Sequence, residues 1–227
     1  YLTWEQEQSV EYLREASSEL IRPVLEKGRP YAGRSKTSTA LKERSDYERA
    51  LLTIGKMIQN KPDNPELWNI RGVALGRLSK YEESLKSFDR AIELQPDDAV
   101  AWGGRGAILL TLGRYEKALE SFDRAIQLEP EDAIAWIGRG LAADVSGEYN
   151  DALKSFDRAI RLHPDDAISS IAWSGRGVAL LNLGRYEESL KSLNKAAGFA
   201  NVQNLKSILR FAASLAAGTE LRVSLQS

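Results

Sequence analysis

The chain matches itself at an offset of 34 residues, and few folds accommodate such a period. The segment YEESLKSFDRAIELQPDDAVAW, beginning at Tyr81, returns as YEKALESFDRAIQLEPEDAIAW from Tyr115 and as YNDALKSFDRAIRLHPDDAISSIAW from Tyr149. A shorter copy, YEESLKSLNKAAGFA, begins at Tyr186. Each copy reads as two helices. The first runs from about two residues before a Trp to a Leu-Gly turn, as in TLGRY at 111–115, where Gly113 and Gly184 can take positive φ. The second ends at a proline such as Pro130, and Glu131–Asp132 then caps the next helix and suits its dipole. Neither helix can bury its apolar stripe alone, so the copies must stack.

The spacing carries further coincidences. The Trp series is Trp68, Trp102, Trp136 and Trp173, each followed four residues later by a glycine: Gly72, Gly106, Gly140 and Gly177. On the second helices come Ser84, Ala118, Ala152 and Ser189, then Phe88, Phe122, Phe156 and Leu193, then Ala91, Ala125, Ala159 and Ala196. Pro96, Pro130 and Pro164 close three copies. Small residues such as Gly106 and Ala118 allow two backbones to approach, while Trp102 and Phe122 fill the space beside them. Over residues 65 to about 200 this pattern resembles the tetratricopeptide repeat family. The resemblance implies an all-α fold, a right-handed superhelical solenoid of antiparallel helix pairs whose first helices line a concave face. It also implies a non-catalytic scaffold that docks polypeptides and needs no cofactor.

This reading divides the chain into a capping helix or helices at 1–30, a degenerate unit at 31–64, units at 65–98, 99–132, 133–166 and 167–200, and a terminal helix and tail at 201–227. The capping segment has an apolar stripe at Val10, Leu13, Ala16, Leu20 and Val24, interrupted by Pro23. In the degenerate unit Tyr47, Ala50 and Pro62 keep the register, so a second helix is expected from 45 and a first within about 34–44. The basic stretch 27–44 reads as a solvated linker, since it has no Gly-rich phosphate motif. At the other end Val202, Leu205, Leu209, Ala212 and Ala216 share one helical face suited to shielding the last unit. Pro96 to Trp102 and Pro130 to Trp136 are six residues but Pro164 to Trp173 is nine, so the unit at 167–200 should contain a longer first helix or a protruding loop around Ile168–Ser170.

An arginine follows each Trp by three, at Arg71, Arg105, Arg139 and Arg176, while Asp89, Asp123 and Asp157 recur on the second helices. We expect a buried or half-buried ion-pair ladder in which loss of one partner strands the other, at a cost of about 3–5 kcal/mol.

The exposed face of the first helices is expected to present Asn69, Val73, Val100, Gly103, Ala107, Leu110, Ile134, Ile137, Leu141, Ile171, Ser174 and Val178. That wall is mostly aliphatic, which suits a helical or extended segment of another protein, or of a second copy of the chain acting as a self-assembling unit. A third reading is a sensor or regulatory module of a larger multidomain protein. Family members that clamp acidic C-termini do so with Lys, Asn and Arg. The matching positions here are Asn69, Val73, Gly104, Ile134 and Gly138, without a cation. WGGRG at 102–106 puts three glycines in one helix, either for a ligand's close approach or by drift under tertiary packing.

Composition narrows the alternatives. There is no cysteine and one histidine, so thiolate metal sites are excluded and no metal or catalytic site is expected. His163 lies in a turn where sister copies have Gln95 and Glu129. The PDD and PED carboxylates read as helix starts. A net charge of −1 provides no basic footprint for nucleic acid. No apolar run reaches the roughly 20 residues that span a bilayer. A cytoplasmic location is the expectation, with an upstream anchor or signal before Tyr1 left open.

Overall fold

The computed structural model describes residues 38–199 apart from His163. The described residues form nine α-helices and no strand. A long helix, α1 (Ser38–Asn60), precedes four helix pairs: α2 (Pro65–Arg77) with α3 (Tyr81–Leu94), α4 (Ala99–Thr111) with α5 (Tyr115–Leu128), α6 (Ala133–Val145) with α7 (Tyr149–Arg161), and α8 (Asp166–Asn182) with α9 (Tyr186–Phe199). Helices pack most heavily within a pair, then against the next pair, and first helices also touch first helices one unit on. The expected cap at 1–30 and terminal helix and tail at 201–227 lie outside the described residues.

The local signals account for the helix ends. Asn64, Asp98, Asp132 and Asp165 cap the first helices, each side chain accepting from backbone N–H groups of the first turn. The turns into the second helices use positive φ at Gly113, Gly147 and Gly184. Ser79 takes that place in the first pair at φ 60°, a conformation that L residues rarely adopt. One register earlier lies Ser45, and there the expected break between two helices does not occur: Ser38–Asn60 is a single helix. The stretch LKERSDYERA has neither Gly nor Pro to stop it. The nine-residue gap before Trp173 resolves as a longer helix, α8 having 17 residues against 13 in the other first helices.

The core is a column of rings held between glycines. Phe88, Phe122 and Phe156 are almost fully buried. A Cβ built on Gly72 would stand 2.9 Å from the Phe88 ring, and one on Gly104 of the next unit 2.5 Å from it. The same clamp holds Phe122 between Gly106 and Gly138, and Phe156 between Gly140 and Gly175. Each ring therefore joins its own pair to the next. Buried Ser84 and Ser189 add a hydrogen bond at the close approach, their hydroxyls donating to the carbonyls of Gly72 (2.6 Å) and Gly177 (2.7 Å).

The junctions between units are tied by tryptophan. The indole Nε1 of Trp68, Trp102 and Trp136 donates to the carbonyl of Pro62, Pro96 and Pro130 at 2.8–2.9 Å. The longer gap before Trp173 carries no such bond among the described residues, and the Lys195 ammonium lies 4.5 Å from that ring instead.

Candidate functional site

Twelve residues were expected on the open wall of the first helices, and the structure separates them. Val73, Val100 and Ile134 are exposed; Gly103, Ala107 and Ile171 are half-buried. Asn69, Leu110, Ile137, Leu141, Ser174 and Val178 are buried, which corrects their assignment to a free surface. The cause is helix spacing. Leu110, Ile137 and Leu141 belong to the hydrophobic core cluster. The glycines at Gly138 and Gly175 bring successive units so close that side chains of this register are enclosed between helices.

What stays open is a cleft between α2 and α4, lined by Pro65, Glu66, Asn69, Ile70, Val73, Gln95, Asp98 and Val100. Ile70, Val73 and Val100 are 45%, 47% and 63% exposed, high for large aliphatic side chains. Ile70 was missed in the sequence. It stands two residues after Trp68, where the later units have Gly104, Gly138 and Gly175. Those glycines each receive a phenylalanine from the preceding unit. The residue 34 before Phe88 is Ile54, so no ring arrives there and a large side chain at position 70 is allowed.

The polar end of the cleft is tightly built. Asp98 Oδ1 accepts from the N–H groups of Val100 and Ala101 at 2.9 and 3.1 Å, while Oδ2 accepts from the Asn69 amide. Asn69 Oδ1 is buried without a hydrogen-bond partner. Gly103, Ile137 and Ser174 fill the corresponding place in later units, so only this cleft has an amide there.

The ladder forms, with an additional rung that the sequence reading did not include. Arg105, Arg139 and Arg176 donate from Nε to Asp89, Asp123 and Asp157 of the preceding second helix at 2.8, 2.6 and 2.7 Å. From Nη1 they donate to Ser121, Ser155 and Ser192 of their own second helix at 2.6–2.9 Å. Those hydroxyls in turn donate to carbonyls four residues back. Arg71 bonds Ser87 at 2.6 Å and has no carboxylate among the described residues, since Gly55 lies one period before Asp89. Three of these guanidinium groups also lie 5.7–5.8 Å from the indoles of Trp68, Trp102 and Trp173.

The expected stranding cost needs lowering. Asp123 is 47% exposed and Arg139 25%, so water still reaches the carboxylate once the guanidinium is gone. Arg139→Ala should cost about 1–2 kcal/mol in urea titrations, from lost packing and the Ser155 bond as well as the ion pair. A cycle with Asp123→Asn should give a coupling of about 0.5–1 kcal/mol. Unchanged stability in Arg139→Ala would rule out any structural role for the ladder.

A second groove lies where α5, α6 and α7 meet, lined by Asp123, Trp136, Arg139, Asp151, Lys154, Ser155, Arg158 and Arg161. Its charges are largely committed internally, Arg139 to Asp123 and Lys154 to Asp151. The Lys154 ammonium, hydrogen-bonded to Asp151 at 2.7 Å, holds that carboxyl below its usual range. Among the described residues there is no group of His, Cys, Asp or Glu arranged to hold a metal ion. No helix among them is long and apolar enough to cross a membrane.

Repeated helix pairs, glycine-clamped rings and an open cleft on the first helices define a helical-repeat solenoid of the scaffold type. The tetratricopeptide repeat family matches residues 36–99, 71–133, 104–167 and 137–203, and the chain belongs to that family. No curated protein matches it. Among solved structures, MamA 41-end from Desulfovibrio magneticus RS-1 superposes with a TM-score of 0.63 at 20% identity, covering 84% of this chain and 94% of that one. TTC0263, a thermophilic TPR protein in Thermus thermophilus, gives 0.61 at 19% identity, covering 87% and 98%. YrrB, described as a TPR protein with an unusual peptide-binding site, gives 0.60 at 22% identity, covering 84% and 95%. These likenesses establish an all-α solenoid. Family membership makes the chain a protein-interaction scaffold in general terms, of a kind that is generally non-catalytic.

Proposed function

We propose that the chain binds a helical or extended segment of another polypeptide in the cleft between α2 and α4. The observation that carries this reading is the cluster of half-exposed aliphatic side chains at Ile70, Val73 and Val100 beside buried polar groups. Covering what remains exposed of each is worth roughly 1 kcal/mol. Three such contacts, offset by ordering and association costs, suit a weak, exchangeable interaction on the order of micromolar.

Binding is tested by fluorescence anisotropy with a labelled peptide of about 12 residues that places aliphatic side chains at i, i+3 and i+4. Val73→Asp and Val100→Asp should each weaken it by about tenfold, by burying an unpaired carboxylate at the contact. Val145→Asp, at an exposed valine outside the cleft, should leave it unchanged. Equal binding by all three variants would remove the cleft as the docking site.

A further inference from the structure

Resting on the cleft as the docking site, we infer that the polypeptide it takes carries a positive charge beside its aliphatic residues, seated at the Glu66–Asp98 end. The lining holds two carboxylates and no cation. Glu66 makes no side-chain ion pair among the described residues. Asp98 is satisfied by hydrogen bonds but keeps its charge. The starts of α2 and α4 contribute about half a positive charge each, against two full negative ones, so the end stays negative by roughly one unit. Asn69 Oδ1, enclosed beside these carboxylates without a hydrogen-bond partner, adds to the negative potential of that end.

The arginines near that end are committed elsewhere. Arg71 is bonded to Ser87, Arg90 is paired with Glu93 and Asp63, and Arg105 is paired with Asp89. Arg77 is the next cation on the stripe Glu66–Ile70–Val73. It stands 11 residues beyond Glu66, roughly 16 Å along the helix. The cleft is therefore negative at one end and apolar in the middle, and the ligand must present its charge and its aliphatic side chains in that order. An acidic segment, the kind clamped by cationic members of this family, would meet two carboxylates. We assign the occupant to another polypeptide. The chain's own stretch at 201–218 carries Lys206 and Arg210 with no acidic residue, so it is the competitor that the test has to exclude.

Three labelled peptides with identical aliphatic residues and a terminal Lys pair, Gln pair or Glu pair test this by anisotropy at low and high salt. The Lys peptide should bind ~3–10-fold tighter than the Gln peptide and the Glu peptide more weakly, with the spread shrinking in high salt. Glu66→Lys in the full chain should reverse the order, and Val73→Asp should weaken binding of the Gln peptide by about tenfold, as in the docking test. Equal binding of the three peptides to the unmodified chain overturns the charge preference and leaves the docking site standing. No binding of any peptide overturns the docking site itself. If Lys206→Glu/Arg210→Glu makes the full chain bind the Lys peptide more tightly, its own C-terminal stretch was competing, and the assignment to another polypeptide fails.

Discussion

Phe156→Ala should lower the free energy of unfolding by about 3–5 kcal/mol in a urea titration followed by circular dichroism. The ring is completely buried, held between Gly140 of its own helix pair and Gly175 of the next. Glycines have no side chain that could swing into the void, so the site collapses poorly and the cavity penalty is felt in full. Because each unit touches only its neighbours, the damage concentrates at the junction of α6 and α7 with α8. The transition should broaden or split, with a smaller m-value, as the two halves of the array lose their coupling. A loss below about 1 kcal/mol would show that the ring is not the wedge joining those units.

Alanine at Gly104 and at Gly103 should have opposite effects, although the residues are adjacent. At Gly104 the new Cβ would lie 2.5 Å from two carbons of the Phe88 ring, which is itself 2% exposed and has nowhere to go. The gain of about 1 kcal/mol in helix propensity is outweighed by overpacking, and a net loss of about 1–3 kcal/mol is expected. At Gly103 nothing lies within 4 Å of the added carbon, so the substitution should raise stability by about 0.5–1 kcal/mol. Paired denaturation curves with the same sign for both variants would refute the close-approach role of Gly104. The comparison also resolves the WGGRG motif: Gly104 and Gly106 face phenylalanine rings, and only Gly103 is left without a packing reason.

The ladder shows how far periodicity alone can reach. Arg139 and Asp123 are 16 residues apart, as are Arg139 and Ser155, and Arg176 finds Asp157 at a separation of 19 despite the insertion. The recurring charges made the Arg–Asp pairing legible. Ser87, Ser121, Ser155 and Ser192 recur just as strictly, but serine is common on helices and its spacing raised no electrostatic question. Their role became visible only once the guanidinium was seen reaching over to them. The exposure of the aspartates, which decides the energy of the pair, left no trace in the spacing.

The cleft was harder to read. Val73, Val100 and Ile134 could be placed on an open stripe from helical spacing, but so could Ile137, Leu141 and Val178, which are enclosed. The identity of the side chain did not distinguish them. What did was the gap to the next helix, set by glycine against phenylalanine in residues a whole unit away. Ile70 carried a readable signal, a large residue where three sister units have glycine, and its meaning depended on the lack of a ring at Ile54.

By itself, the order of residues determined the four helix pairs from residue 65 onward, their caps and turns, the stacking partner of each pair and the three Arg–Asp pairings. All of these are decided by contacts within one period of the chain, where spacing is a good proxy for distance. Tertiary structure alone decided which aliphatic side chains stay in contact with water and where the negative end of the cleft lies. Those depend on the separation between successive units, a distance produced by buried rings and missing side chains acting together across the stack.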